Sequence, residues 1–244
     1  MTFLTRHYER SPLLARVLPF VIFVLLTFGQ GQFGEGSRYW FYCAKTLVGA
    51  WLVWSMRPFV RELRWALSTE AVVAGVGVFV LWVGIDSLYP GLDEIHARWL
   101  GPWLTRLGVG SGEASPPATP WNPFVHFSAS PALAWLIIVT RIVGSTLVVP
   151  PLEEVFYRSF LYRYLASPEF ERVALGQWLW KPFLLTAVIF GLAHQQWLAG
   201  ILCGFVYQGL VCRRQRLGDA VTAHAITNFL LGLWVVWRDA WHFW

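Results

Sequence analysis

Residues 71–89, with the sequence AVVAGVGVFVLWVGIDSLY, contain a single charged side chain, that of Asp86. An α-helix rises about 1.5 Å per residue, so a run of this length spans a hydrocarbon core about 30 Å thick. Other apolar runs precede and follow it, and one of them is shorter and carries charge. Together they occupy residues 12–28, 39–56, 71–89, 131–149, 152–166, 182–197, 198–212 and 219–237. The sequence therefore predicts an all-α, polytopic integral membrane bundle of about eight transmembrane helices.

The composition supports the same class. Of the 244 residues, 56% are hydrophobic and 14% are charged, and 16 are tryptophan, whereas about a quarter of the residues of a soluble domain are charged. So much apolar surface cannot be buried within one water-soluble globule, which excludes soluble and disordered classes. The net charge of +5 does not indicate a nucleic-acid partner, because the basic residues lie between the apolar runs.

The chain divides into spans and one long connection, residues 90–130. Prolines interrupt that connection and exclude a continuous helix there; they are Pro116, Pro117, Pro120 and Pro123. Each span needs neighbours to cover its polar atoms, so we expect one membrane domain over residues 1–244 with lipids around it.

Charged side chains within the spans are functional candidates, since each costs about 3 kcal/mol or more in a bilayer. Lys45 and Asp86 lie near predicted span ends, where snorkelling or a structural hydrogen bond explains them. Arg141 lies in mid-span and either pairs with a carboxylate of another helix or has a function of its own. The densest cluster is Glu153, Glu154 and Arg158.

Residues 150–158, PPLEEVFYR, favour a helix start, because proline fits the first turn and carboxylates stabilise the positive end of the helix dipole. Glu154 and Arg158 have the i, i+4 spacing of an intrahelical ion pair. Adjacent side chains on a helix point about 100° apart. Glu153 therefore faces elsewhere without a local partner, as a general base would.

Two further polar clusters follow in apolar segments. His194 ends the segment FGLAH, residues 190–194, and His224 and Asn228 share one helix face in residues 224–228, HAITN. An interfacial imidazole and helix-to-helix hydrogen bonding are the structural alternatives for these residues. Together, however, the clusters supply the base and the donors to an oxyanion that amide hydrolysis requires.

These residues resemble the CAAX prenyl endopeptidase and bacteriocin-processing (CPBP, or Abi) family of membrane proteases. The family pattern is E-E-x-x-x-R, F-x-x-x-H and H-x-x-x-N/B on three membrane helices, and it covers residues 152–231 here. Ser159 departs from the glycine that is usual after the arginine. The tryptophan-rich first half is similar to the subgroup associated with exosortase systems.

The resemblance implies a CAAX-protease-like intramembrane endopeptidase that cleaves near the membrane-anchored end of a protein or peptide substrate, with its catalytic helices within residues 131–237. Glu153 and His194 would activate water, His224 and Asn228 would stabilise the oxyanion, and Glu154 and Arg158 would hold the first helix in place. The family is often described as metal-dependent, in which case Glu153, His194 and His224 would bind Zn²⁺ or another divalent metal. A metal-free glutamate mechanism is the alternative.

The expected location is a bacterial inner membrane, with a protein-sorting system as partner and no nucleic acid. Two other interpretations remain open. A non-catalytic immunity or scaffold protein would keep the fold and use the polar cluster only to hold helices together. A transporter would use it as a proton relay, but no inverted repeat supports that interpretation.

Two arguments about sidedness conflict. Glu153 and His194 meet at one depth only if the 152–166 helix crosses the membrane and the next span returns antiparallel. The positive-inside rule favours the arrangement without this crossing, because it places three arginine clusters on the side of the amino terminus. The clusters are Arg6, Arg10 and Arg16; Arg57, Arg61 and Arg64; and Arg213, Arg214 and Arg216. We give the site geometry precedence, and the orientation stays open.

Overall fold

Helices account for the regular structure of the protein in the computed structural model, which describes residues 3–107 and 121–244. Ten helices follow one another: α1 (Phe3–Arg10), α2 (Pro12–Phe28), α3 (Ser37–Met56), α4 (Thr69–Ile85), α5 (residues 92–106), α6 (Pro123–His126), α7 (Pro131–Ala166), α8 (Trp180–Leu192), α9 (Trp197–Arg214) and α10 (Leu217–Arg238). No strand occurs in either described range. Pro116, Pro117 and Pro120 lie outside the described residues.

Length and composition make several of these helices membrane spans. Three helical stretches are long and apolar enough to cross a bilayer: Thr69–Arg106, Pro131–Ala166 and Leu217–Arg238. Pro12–Phe28 and Trp180–Leu192 are shorter apolar helices. Serine caps fix where two helices begin, because Ser11 accepts a hydrogen bond from the Leu14 amide and Ser68 accepts one from the Ala71 amide. The predicted all-α membrane bundle is confirmed.

The predicted helix start at Pro150 and Pro151 is wrong. Both prolines lie inside α7, which runs for 36 residues and joins the predicted 131–149 and 152–166 spans into one. Wider π-helical turns at Gly144–Val148 and Val155–Leu161 flank the prolines. Such turns relieve the clash of a proline ring with the preceding turn, and neighbouring helices satisfy the freed carbonyls. In the described ranges, two of the eight predicted runs thus form a single helix.

Glycines let the helices around the site approach closely. A Cβ atom on Gly75 of α4 would lie 2.6 Å from the Ala223 carbonyl oxygen of α10. One on Gly191 of α8 would lie 2.6 Å from the backbone nitrogen of Ile201 in α9. Small residues at such contacts are typical of membrane helix pairs, where backbone packing replaces the hydrophobic driving force. They fix α4, α8, α9 and α10 around one interior.

The arginine clusters all lie at one end of the bundle, which we call the arginine-rich face. Arg16 forms an ion pair with Glu62 at 2.8 Å, and Arg214 forms one with Glu70 at 3.2 Å. Ser68 donates a hydrogen bond of 2.6 Å to Asp219 at the start of α10. Because α7 crosses once and α8 and α9 form a hairpin back to this end, the crossing helix and the positive-inside rule agree. The conflict arose because the sequence predicted two spans, 131–149 and 152–166, where the structure has the single helix α7.

Candidate active site

The centre of the site is a buried triad on α7 and α10. Glu154 Oε1 lies 2.9 Å from His224 Nδ1, and Glu154 Oε2 lies 3.1 Å from Arg158 Nε. The side chains of Glu154 and Arg158 are 0% exposed. A carboxylate only accepts, so Nδ1 of His224 carries the hydrogen and a neutral ring presents Nε2 as an acceptor. The predicted ion pair of Glu154 with Arg158 is present, and His224 joins it from 70 residues away.

Aromatic rings enclose the arginine. The Arg158 guanidinium lies 4.4 Å from the centre of the Phe190 ring and 5.5 Å from that of Tyr157. Its nitrogens have no hydrogen-bond partner of good geometry among the described residues. Charge proximity to Glu154 and cation–π contacts therefore hold Arg158 in place. Removal of Glu154 would leave a buried, uncompensated cation.

Phe190 connects His194 to this centre. Its ring lies 4.7 Å from that of His194 and 6.1 Å from that of His224, measured between ring centroids. The Phe190 carbonyl oxygen lies 2.7 Å from His194 Nδ1. A carbonyl only accepts, so Nδ1 carries the hydrogen and Nε2 of a neutral His194 is left as an acceptor. The half-buried imidazole lies just after α8 ends, as predicted.

Tyr207 positions His224, and sequence reasoning missed it. Its ring stacks on His224 with 5.2 Å between centroids, and its hydroxyl donates to Thr227 Oγ1 at 2.7 Å. Thr227 in turn donates to the Gly75 carbonyl oxygen at 2.8 Å. Tyr207 lies in α9, which carries no family motif, so no sequence signal marked it.

Glu153 is half-buried and takes no part in the triad. Its Oε2 atom is buried and has no hydrogen-bond partner among the described residues. It lies within electrostatic range of Cys203, as Glu154 and Arg158 also do. Because a buried carboxylate oxygen is costly to leave unsatisfied, such an atom in a native fold marks a place for water or a ligand. This is the property expected of the base.

Asn228 supplies a hydrogen bond that the backbone of α7 lacks. In the π turn the Val149 amide bonds to the Gly144 carbonyl, five residues back. The next carbonyl, that of Ser145, would need the amide hydrogen of Pro150, which proline lacks. Asn228 Nδ2 donates to the Ser145 oxygen at 2.8 Å instead. One of its two N–H groups is therefore committed to the helix, and the other is left for the predicted oxyanion role.

Glu62 clamps the arginine-rich end of α7. Its Oε1 atom accepts hydrogen bonds from Arg16 and from Ser159, the residue after Arg158. Burial alone would raise the pKa of Glu62. The charge of Arg16 and the hydrogen bonds from Ser159 and Arg16 outweigh it and hold the pKa below its usual value of 4.5. The carboxylate therefore stays ionised and fixes α7 to α2.

The other charged candidates, Lys45, Asp86 and Arg141, contact side chains outside the triad. Lys45 is 7% exposed and donates to Thr27 Oγ1 at 3.1 Å, so it does not snorkel. Asp86 contacts His242 at 2.9 Å. Arg141 forms no ion pair with a carboxylate in the described ranges. It instead lies over the rings of Tyr42, Trp121 and Trp244, at 4.8, 4.2 and 5.1 Å from their centres.

The described residues offer no preformed metal site. Within residues 3–107 and 121–244, no group of three or more His, Cys, Asp or Glu side chains is placed to hold one. The guanidinium of Arg158 beside Glu154 disfavours a further cation next to that carboxylate. The arrangement thus gives no support to the predicted ligand set of Glu153, His194 and His224.

Comparison with known families identifies the class of protein to which this site belongs. A family model described as Rce1-like, Type II CAAX prenyl endopeptidase Rce1-like, matches residues 116–230, which contain all three motifs. The match covers slightly less than half of the chain, and the predicted CPBP resemblance is confirmed over that part. The match supports a protease enzyme class and an integral membrane location. Neither a curated protein nor a solved structure matches the chain.

Proposed function

We propose that the protein is an intramembrane endopeptidase that hydrolyses a peptide bond near the membrane-anchored end of a protein or peptide substrate. The observation that carries this proposal is the unsatisfied oxygen of Glu153 beside the buried Glu154–Arg158–His224 triad. The orphaned carboxylate would supply the base, and the imidazole held by Glu154, the next residue in the chain, would supply the donor. Leaving this oxygen buried is costly unless water or a ligand meets it.

In the proposed reaction, Glu153 and His194 take a proton from water as its oxygen attacks the substrate carbonyl carbon. The carbonyl oxygen becomes an oxyanion, which His224 Nε2 stabilises by donating a hydrogen bond. Donation from Nε2 requires a protonated ring, because Nδ1–H already bonds to Glu154, and the negative charge that develops on the oxyanion compensates the imidazolium. The intermediate then breaks its C–N bond, and the proton from water passes to the leaving amine. The products are an amine and a carboxylic acid, which then loses its proton to solvent.

Glu154, Arg158 and Tyr207 are positioning residues in this scheme. Glu154 fixes the tautomer of His224 as the carboxylate of a hydrolase triad does, Arg158 balances its charge, and Tyr207 stacks on the ring. Asn228 holds the π turn of α7 through Ser145 and offers its second N–H to the oxyanion. We propose that water activation needs no metal ion, since the arginine occupies the place of the positive charge.

The orientation follows from the arginine-rich face. Lys and Arg concentrate in cytoplasmic loops of membrane proteins, so we propose that this face is cytoplasmic in a bacterial inner membrane. His224 lies seven residues into α10, about 10 Å below the cytoplasmic end at 1.5 Å per residue. A membrane-anchored substrate delivered by a protein-sorting partner would therefore reach the site from within the bilayer near that face.

Cleavage of membrane-anchored peptides by detergent-purified protein tests the proposal. Wild type is compared with Glu153→Gln and His194→Ala, each with and without a strong chelator, and His126→Ala serves as a histidine control outside the cluster. We expect wild type and the control to cut in the presence of chelator, while both site variants fold but do not cut. Cleavage abolished by chelator would contradict the metal-free step. If wild type cuts nothing and the site variants only unfold at lower temperature, the protein would be a non-catalytic immunity or scaffold component.

A further inference from the structure

A cavity of about 820 Å³ lies at the arginine-rich face, between the end of α3 and the start of α4. Three arginines line it together with two tryptophans and the hydrophobic residues between them. The lining residues are Trp54, Arg57, Pro58, Val60, Arg61, Leu63, Arg64 and Trp65. No acidic side chain is among them. The cavity has no part in the proposed hydrolysis.

The three arginines are exposed and free of ion pairs. Arg57, Arg61 and Arg64 have no ion-pair partner among the described residues, whereas Arg16, Arg163, Arg214 and Arg216 nearby are all paired. The only acid between residues 57 and 68 is Glu62, and its carboxylate is bound to Arg16 and Ser159. Nothing in the loop therefore neutralises the cavity, and an anion would find three uncommitted guanidinium groups there.

The loop backbone holds these groups in place. Val60 is 0% exposed and Leu63 is 6% exposed, so both anchor the loop in the core. Consecutive turns support it, with the Val60 amide bonded to the Met56 carbonyl and the Leu63 amide to the Val60 carbonyl. The arginines are thus carried by a fixed backbone. Because the backbone is already ordered, anion binding need only order the arginine side chains.

The tryptophans indicate where the cavity lies relative to the membrane. Trp54 is 73% exposed and Trp65 is 52% exposed, on either side of the arginines. Exposed tryptophan is typical of the headgroup level of a bilayer. Guanidinium groups bind phosphate oxygens in a bidentate manner. Basic pockets at the cytoplasmic ends of membrane helices suit anionic headgroups, whose acyl chains can pack beside the helices.

We propose that this cavity binds the phosphate of an anionic phospholipid headgroup, with Arg57, Arg61 and Arg64 as ligands and the acyl chains against Trp54 and Trp65. The proposal is independent of the hydrolytic site, because none of these residues touches the triad. The bound lipid would flank Glu62, which holds the end of α7.

Titration of the full-length protein with lipids in detergent, followed by native mass spectrometry, tests the proposal. Dioleoyl phosphatidylglycerol is compared with dioleoyl phosphatidylcholine, inorganic phosphate and glycerol phosphate. The test variant is R57Q/R61Q/R64Q. The matched control, R6Q/R10Q/R213Q, removes the same charge from three exposed arginines of the same face that lie outside the cavity and have no ion-pair partner among the described residues.

We expect phosphatidylglycerol to bind wild type more tightly than phosphatidylcholine, and the test variant to raise its Kd at least about tenfold while the control raises it less than about threefold. Raising the salt concentration should weaken lipid binding to wild type more than to the test variant. Should the triple variant fail to fold, R61Q is compared with R213Q, and only R61Q is expected to raise the Kd, by about threefold.

Three results would overturn the proposal. Equal weakening by the test and control variants would mean that general surface charge, and not the cavity, attracts the lipid. Equal affinity for phosphatidylcholine would mean that headgroup charge does not matter. Arginine-dependent binding of inorganic phosphate or glycerol phosphate without lipid binding would assign the cavity to a soluble phosphate compound.

Discussion

The replacement of Glu154 by Gln tests whether the buried triad is held by charge. The side chains of Glu154 and Arg158 are 0% exposed, and Arg158 has aromatic rings but no other carboxylate against it in the described residues. Glutamine keeps the size of the side chain and an oxygen that accepts from His224 Nδ1. The substitution therefore removes little but the negative charge opposite Arg158.

The expected loss of stability is large. Removal of one partner of a buried ion pair leaves the other charge uncompensated and costs about 3–5 kcal/mol. For a chain of this length, 1 kcal/mol corresponds to about 2–4 °C in Tm. Glu154→Gln should therefore lower Tm by about 6–20 °C. The double variant Glu154→Gln, Arg158→Met removes the stranded cation as well and should regain part of this loss.

Thermal unfolding of the purified protein in detergent measures the effect, with cleavage activity followed in the same preparations. Glu153→Gln is the matched control, since it makes the same isosteric change one residue earlier. Its Oε2 has no partner to lose, so we expect a change in Tm of less than about 2 °C together with loss of cleavage. Equal Tm values for Glu154→Gln and wild type would refute the reasoning, as would a double variant less stable than Glu154→Gln.

Three further predictions concern the supports of the site. The pKa of Glu62 is lower in the folded protein than its usual 4.5, so its stabilising contribution is complete above about pH 4.5 and is lost as the pH falls through the lower folded value. The Tm difference between wild type and Glu62→Gln should therefore shrink on acidification. A constant difference would contradict this reasoning. Gly191→Ala should cost about 1–3 kcal/mol through its clash with the backbone of α9. Gly77→Ala, which meets nothing within 4 Å, should leave Tm unchanged or raise it slightly through helix propensity. Equal losses of stability would argue against close packing at Gly191. Asn228→Asp should cost about 1–3 kcal/mol, because Ser145 loses its donor, and an unchanged Tm would show that the π turn does not need it.

Several features of the site were predictable because they depend on local sequence. Glu154 and Arg158 are four residues apart on one helix, so their ion pair follows from helix geometry. The partner of His224 was not predictable in this way. The side chains of Glu153 and Glu154 point about 100° apart on α7. Only the packing of α10 against α7 decides that Glu154, and not Glu153, contacts the imidazole.

The sequence by itself determined the membrane class, most of the helices and the three motifs, because hydrophobic runs and residue spacing are properties of short segments. The tertiary structure alone decided that α7 continues through Pro150, that Asn228 supplies the hydrogen bond this proline cannot make, and that Arg141 lies in an aromatic cage. It also brought the arginine clusters to one face. Each of these features depends on a partner far away in the chain, and such partners meet only when the helices pack, because the free energy of satisfying buried polar groups is shared between elements.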